Sequence, residues 1–239
     1  MKPFKFKEFV VHQDKAAMKI GTDGVLLGAW CSIEQFPDSI LDIGSGTGVI
    51  ALMLAQRSDA MTIDAVEIND EAYEQTVENF EKSDWGDRLF CYHSSFQDFS
   101  REMNEEEETY ELIISNPPFY NADYQSENEA RNKARFTSSL SFKELLQGVS
   151  LLLSENGTFS TIIPFQEEKE FIALAKTFNL QMNKVCRIRG NAESELKRSL
   201  LEFSFHSKDI IEEELIIEKE RHQYTDAYVN LTKDFYLKM

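Results

Sequence analysis

The stretch Ile40-Leu-Asp-Ile-Gly-Ser-Gly-Thr-Gly-Val-Ile50 decides the fold. Ile40–Ile43 is a short apolar run that reads as a buried strand, and Gly44, Gly46 and Gly48 then open an apolar helical pattern over 47–57. Glycines at a strand-to-helix turn let the backbone bend tightly and approach a ligand beside helix N-terminal amides. The spacing is GxGxG, not the GxGxxG of a pyrophosphate-binding turn, and Asp42 stands just before it. A carboxylate there repels a pyrophosphate and suits a cationic amino-acid moiety. Glu67 closes the next expected strand, 62–67, where an acid accepts hydrogen bonds from both hydroxyls of a ribose. Two anions facing a ribose and a positive amino-acid tail describe S-adenosyl-L-methionine better than NAD. The plainer alternative is a structural glycine turn between two surface acids.

Outward from this turn, short apolar runs alternate with helix-period stretches. Strands are expected at 40–43, 62–67, 89–93, 112–115, 158–163, 184–188 and 200–205, with helices at 47–57, 70–82, 142–153 and 166–178. That alternation predicts an α/β, Rossmann-like, doubly wound and mostly parallel sheet of about seven strands. Residues 4–11 read as an edge strand and 22–30 as a short leading helix. Residues 213–219 and 224–235 read as an added strand and helix. Asn156-Gly157 reads as a left-handed helix stop. Residues 102–111 hold six Glu and read as a solvated loop or helix end. The chain divides into a leading segment (1–35), a core (36–207) and a C-terminal extension (208–239) of one domain.

Two further motifs lie at expected strand ends. Ser94-Ser-Phe-Gln-Asp98 places Asp98 to accept from an adenine amino group, with Phe96 near the ring; an Asp there also serves as an ordinary turn or cap residue. Tyr110-Glu-Leu-Ile-Ile-Ser-Asn-Pro-Pro-Phe119 ends a strand in a diproline that has no amide hydrogens for a ladder. Asn116 and the Pro117 carbonyl become two acceptors beside an aromatic, Phe119. Such a cluster suits a planar exocyclic amine: gripping both hydrogens favours the pyramidal geometry in which the nitrogen lone pair is available.

DIGSGTG, VE, SFQD and NPPF in this order resemble the class I adenosylmethionine-dependent methyltransferases that act on amino groups. The run Phe9-Val-Val-His-Gln-Asp-Lys-Ala-Ala-Met-Lys-Ile-Gly-Thr-Asp-Gly-Val-Leu-Leu-Gly-Ala-Trp30 is similar to the family that methylates N6 of an adenosine beside the anticodon of valine tRNA. The resemblance implies that the segment before the glycine strand covers the cofactor, with Thr22 and Asp23 near its carboxylate end. It implies that Asp42 and Gly44, with Gly46 and Gly48, hold the methionine moiety, Glu67 the ribose, and Asp98 with Phe96 the adenine. Asn116, Pro117 and Phe119 hold the target amine. Many relatives of the wider class have Tyr where Phe119 stands; both rings stack.

Among the 239 residues, 25 Lys and Arg face 42 Asp and Glu, a formal charge of −17, which argues against holding nucleic acid by bulk electrostatics. Basic residues nevertheless cluster. Residues 130–143 carry Arg131, Lys133, Arg135 and Lys143 with no acid, and 184–198 carry five bases, including Arg187 and Arg189, against two acids. Residues 2–19 carry five Lys against Glu8 and Asp14. A positive rim around a flipped adenosine is the expected RNA contact; solvated charges are its rival explanation. Cys31, Cys91 and Cys186 form no ligand spacing, and the four His are scattered, so no metal is expected. No apolar run spans a membrane and no signal peptide is visible. The expected protein is a cytoplasmic monomer acting on tRNA. Two alternatives stay open: methylation of a protein glutamine amide, which also suits NPPF, and a non-catalytic binding module of the same fold.

Overall fold

The computed structural model describes residues 2–16, 18–117 and 140–239. Residues 4–11 form a hairpin, β1 (Phe4–Lys5) with β2 (Val10–Val11), instead of the expected single edge strand. Phe6 and Phe9 cause the turn: their buried rings stack at 4.6 Å, and the Phe6 amide donates to the Phe9 carbonyl. Phe6 also bridges Tyr236, and the Lys7 amide donates to the Phe235 carbonyl, so this hairpin is sewn to the far end of the chain.

The elements that follow are α1 (Thr22–Trp30), β3 (Ser39–Ile43), α2 (Val49–Arg57), β4 (Thr62–Glu67), α3 (Asp70–Glu81), β5 (Leu89–His93), α4 (Phe96–Glu105) and β6 (Tyr110–Ser115). After them come α5 (Phe142–Leu152), β7 (Leu153–Pro164), α6 (Glu168–Lys176), β8 (Gln181–Arg189), β9 (Leu196–Ser204) and β10 (Ile211–Ile216). A small hairpin, β11 (Glu218–Glu220) and β12 (Gln223–Tyr224), precedes α7 (Asp226–Thr232).

The central sheet runs β10-β8-β9-β7-β6-β3-β4-β5. Every pairing is parallel except the two that β9 makes, so the doubly wound, mostly parallel sheet is present, with eight strands instead of about seven. The eighth is β10, which pairs in parallel with β8 from Ile211 to Ile216. The expected strand at 213–219 is therefore shifted towards the N-terminus, and α7 starts only after Thr225 caps it at the Tyr228 amide. One sheet face carries α1, α2, α3, α7 and the β1–β2 aromatics; the other carries α4, α5 and α6, with Phe99, Phe159, Phe171 and Phe203 in its core.

The glutamates of 102–108 face water at the end of α4 and in the turn after it, the expected solvated helix end or loop. The helix itself is not among those expected: Ser95 caps it by accepting from the Asp98 amide, and Phe96 and Phe99 bury. One local reading fails. Asn156-Gly157 is no left-handed stop, since β7 starts directly after α5 and Gly157 has no positive φ. Tyr110 faces Leu153 whereas Leu112 faces Thr158, so the β7 strand bulges between them. A Cβ on Gly157 would lie 2.8 Å from both Leu153 Cδ1 and Ser154 Oγ; the glycine there answers a need for room.

Candidate active site

The chain leaves β3 for α2 on one face of the sheet, while β6 lies on the other side of β3. The crevice outside these strand ends is the place where such sheets take ligands. It holds a cleft of about 290 Å³ whose walls include Gly44, Gly46, Glu67, Phe96, Asn116 and Pro117. Cofactor-type and acceptor-type residues expected from the sequence thus meet in one cavity.

Each wall has a local cause. Gly44 and Gly46 sit at φ +72° and +60°, and a Cβ on either would meet nothing within 4 Å, because the room beside them is the cleft itself. Gly48, at φ +74°, differs: its Cβ would lie 2.7 Å from Phe80 Cε1, so this glycine serves the packing of α2 on α3 and does not line the cleft. Glu67 is pinned at both oxygens, Oε2 accepting from the Gly46 amide and Oε1 from the Asn69 amide, each at 2.9 Å. Each oxygen keeps a second lone pair, which suits a vicinal diol. Ser115 Oγ donates to the Ile43 carbonyl at 3.0 Å, which locks the end of β6 to the end of β3 just before half-buried Asn116. An open glycine cradle, a fixed carboxylate and an aromatic wall fit a nucleoside with an amino-acid arm.

Several expected residues stand elsewhere. Asp42 is fully buried, points from β3 towards α2 and does not line the cleft. Neither of its oxygens has a hydrogen-bond partner of normal geometry among the described residues. Burial pushes its carboxyl up to about 7, with the Ala51 amide offsetting part of that and the Glu67 charge adding to it. Asp98 is exposed in the first turn of α4, where Ser95 Oγ donates to one oxygen and Arg101 to the other, at 2.7 and 3.1 Å. Those hydrogen bonds hold its carboxyl below the usual range, and its role in the structure is that of a helix-cap partner rather than a cleft wall. Thr22 is exposed at the start of α1 and also lies off the cleft.

The basic stretch 184–198 is largely neutralised. Arg187 grips Glu168 with Nε and Nη2 and reaches Glu212 at 2.8 Å; Arg189 pairs with Glu214 at 2.8 Å. The Arg187 guanidinium pKa is raised by these acceptors. Glu212 and Glu214 stand on β10, in register beside β8, and Glu168 opens α6. Phe119, Arg131, Lys133 and Arg135 lie outside the described residues.

The cleft also has walls that were not singled out as site residues: Ile68, Asn69 and Leu140 outside any motif, and Ala16, Met18 and Gln97 within the quoted segments. Ala16 and Met18 come from the leading segment, which α3 holds in place. Asn79, buried on α3, accepts from the His12 amide at 2.8 Å and donates to the carbonyls of His12 and Thr47, both at 2.9 Å. Gln75 accepts from the Lys15 amide at 3.0 Å. A polar stripe at 75, 76 and 79 facing inward on an amphipathic helix was the available signal. Among the described residues no group of three or more His, Cys, Asp and Glu could hold a metal, and no helix is long and apolar enough to cross a membrane.

Residues 25–139 match the family model described as Methyltransferase small domain. The chain is 59% identical to a tRNA1(Val) (adenine(37)-N6)-methyltransferase of Christiangramia forsetii, over 99% of this chain and 98% of that one. It is 56% identical to a protein of the same name from Flavobacterium johnsoniae, over 99% and 100%. A structure described as a predicted O-methyltransferase from Agrobacterium tumefaciens superposes with a TM-score of 0.67 at 19% identity, covering 89% of this chain and 96% of that one. The fold is that of the class I methyltransferases, and the chain belongs to the family of the tRNA1(Val) (adenine(37)-N6)-methyltransferases.

Proposed function

We propose that this protein transfers a methyl group from S-adenosyl-L-methionine to N6 of adenosine 37, beside the anticodon, in valine tRNA, working as a monomer in the cytoplasm. The observation that carries this is the convergence of Gly44, Gly46 and Glu67 with Asn116 and Pro117 in one cleft, in a chain 59% identical to a relative of that name. Three free cysteines accord with a reducing compartment.

When bound in this cleft, the cofactor supplies the electrophilic methyl carbon. Glu67 accepts from the ribose hydroxyls with the lone pairs that Gly46 and Asn69 leave unused. Phe96 closes the wall on the adenine side; Gly148 of α5 leaves the space its ring occupies. Asn116 Oδ1 and the Pro117 carbonyl accept the two amine hydrogens and bias the nitrogen towards pyramidal geometry, and Phe119 stacks on the base. No strong base is required, because the methylated nitrogen is acidic and releases its proton to water.

Glu67→Ala is expected to weaken adenosylhomocysteine binding roughly 10- to 150-fold, the loss of about 1.5–3 kcal/mol for a charged hydrogen bond. Calorimetric titration of the folded variant checks this, and unchanged affinity removes Glu67 from the site. Replacing Arg131, Lys133 and Arg135 together is expected to lower the slope of log affinity for RNA against log salt by up to about 2, at roughly 0.7 per phosphate contact. Replacing Arg187 and Arg189 is expected to leave that slope alone and to lower the melting temperature, since their guanidiniums are already held by Glu168, Glu212 and Glu214.

The deciding experiment is methylation of purified valine tRNA, followed by nucleoside mass spectrometry, beside a glutamine-bearing protein substrate. N6-methyladenosine at the position beside the anticodon is the expected product. Transfer to the glutamine protein alone would overturn the RNA assignment, and transfer to neither would favour a binding module.

A further inference from the structure

Arg198 stands at the start of β9, opposite Pro164 of β7 and Ile188 of β8. Its Nε donates to Asp23 Oδ2 at 2.8 Å, and the two side chains keep only 32% and 28% of their exposure. A half-withdrawn pair of this kind is less screened and less mobile than a surface one. Glu167, in the turn after β7, also feels the Arg198 charge. Asp23 lies in the first turn of α1, whose N-terminus has no side-chain cap.

What the pair holds in place is the next residue. A Cβ on Gly24 would lie 3.8 Å from Asn116 Nδ2, 3.6 Å from Val49 Cγ1 and 3.8 Å from Ile50 Cγ1. The first turn of α1 is therefore seated between the amide that ends β6 and the helix that follows the glycine turn. A planar amide that must present Oδ1 to an amine gains from a wall on its Nδ2 side, since preorganised acceptors need no reorientation during the reaction.

We propose that Asp23 and Arg198 are a positioning couple: their ion pair seats the first turn of α1 against Asn116 and so sets the rate of methyl transfer. The inference rests on the methyl-transfer reading above. Both residues act through Asn116, and a displacement of about 1 Å at a reacting group costs as much as roughly 100-fold.

The test is a double-mutant cycle in the full chain, using Asp23→Asn, Arg198→Gln and the two combined. Single-turnover transfer to valine tRNA is read at saturating cofactor and RNA, alongside adenosylhomocysteine affinity and melting temperature. Each single variant is expected to slow transfer roughly 10- to 100-fold. The double variant should be no slower than the worse single, with cofactor affinity within about two-fold throughout, because both changes break one interaction. Asp23→Glu with Arg198→Lys, which keeps opposite charges, should recover part of the rate and serves if a neutral variant does not fold. Wild-type rates with a lowered melting temperature would make the pair a structural brace and overturn the proposal. Multiplicative losses would overturn it too, since they would mean that Arg198 acts on the RNA independently of Asp23. If wild type methylates neither RNA nor a glutamine protein, the reading beneath the inference fails instead.

Discussion

Asn116→Ala is expected to slow single-turnover methyl transfer by about 100- to 1,000-fold while cofactor and RNA still bind within a few-fold. The substitution deletes one of two acceptors from the cleft and leaves Glu67, pinned by the Gly46 and Asn69 amides, untouched. Removing one preorganised polar group of this kind costs about 2.7–4 kcal/mol of barrier. The anchorage of β6 should survive, because the lock between the strands is Ser115 on the Ile43 carbonyl, one residue earlier. Asn116→Asp should retain more activity than Ala, as a carboxylate oxygen accepts the same hydrogen. A wild-type rate for Asn116→Ala at saturating cofactor would end the two-acceptor mechanism, whichever substrate the enzyme takes.

Asp42→Asn is expected to stabilise the protein above neutral pH and to change little near pH 4. An unfolded Asp titrates near 3.9, whereas burial pushes Asp42 up to about 7. Between those values the folded state holds a proton that the unfolded state has released, so stability falls as pH rises across that window. The stability this residue contributes is fully present below about pH 4 and is lost once pH has passed about 7. The upper bound for the excursion is about 4 kcal/mol, at 1.36 kcal/mol for each unit of displacement. Asn carries no charge to desolvate and should not show the excursion. Urea unfolding of both proteins at several pH values, read as the difference between them, isolates Asp42 from every other titrating group. A difference that stays constant from pH 4 to pH 8 would show that the carboxylate is not penalised by its burial.

The glycine turn and its strands were legible because burial on both faces of a parallel sheet forces apolar runs, and positive φ forces glycine. Asn116 and Pro117 were legible because a diproline stops a strand at a fixed point. Asp42 lies off the cleft, which was not legible: the sequence shows a carboxylate before a glycine turn but not which sheet face it points to. Asp98 shows a similar ambiguity: Ser95-Phe-Gln-Asp98 has the spacing of a helix cap, and Asp98 pairs there with Ser95 and Arg101. Arg187 and Arg189 looked like a basic patch because the acids that neutralise them are distant in sequence: Glu168 lies 19 residues before Arg187, and Glu212 and Glu214 lie 25 residues after their partners, on a strand whose parallel placement beside β8 no local pattern reveals. Met18 and Ile68 carry no chemical signature; only the path of the chain makes them cleft walls.

The β1–β2 hairpin has a consequence for biogenesis. Lys7 reaches the Lys233 carbonyl, a partner 226 residues further along the chain. At a synthesis rate of about 5–20 residues per second, that partner follows Lys7 by roughly 10–45 seconds. The strands of the central sheet, ending at Ile216, can all emerge before the seam has anything to close upon. During that interval Phe4 and Phe6 have no Tyr236 to pack on, so a nascent chain with a nearly finished sheet still offers an aromatic, sticky end to chaperones. The seam therefore closes later than any pairing within the central sheet needs to.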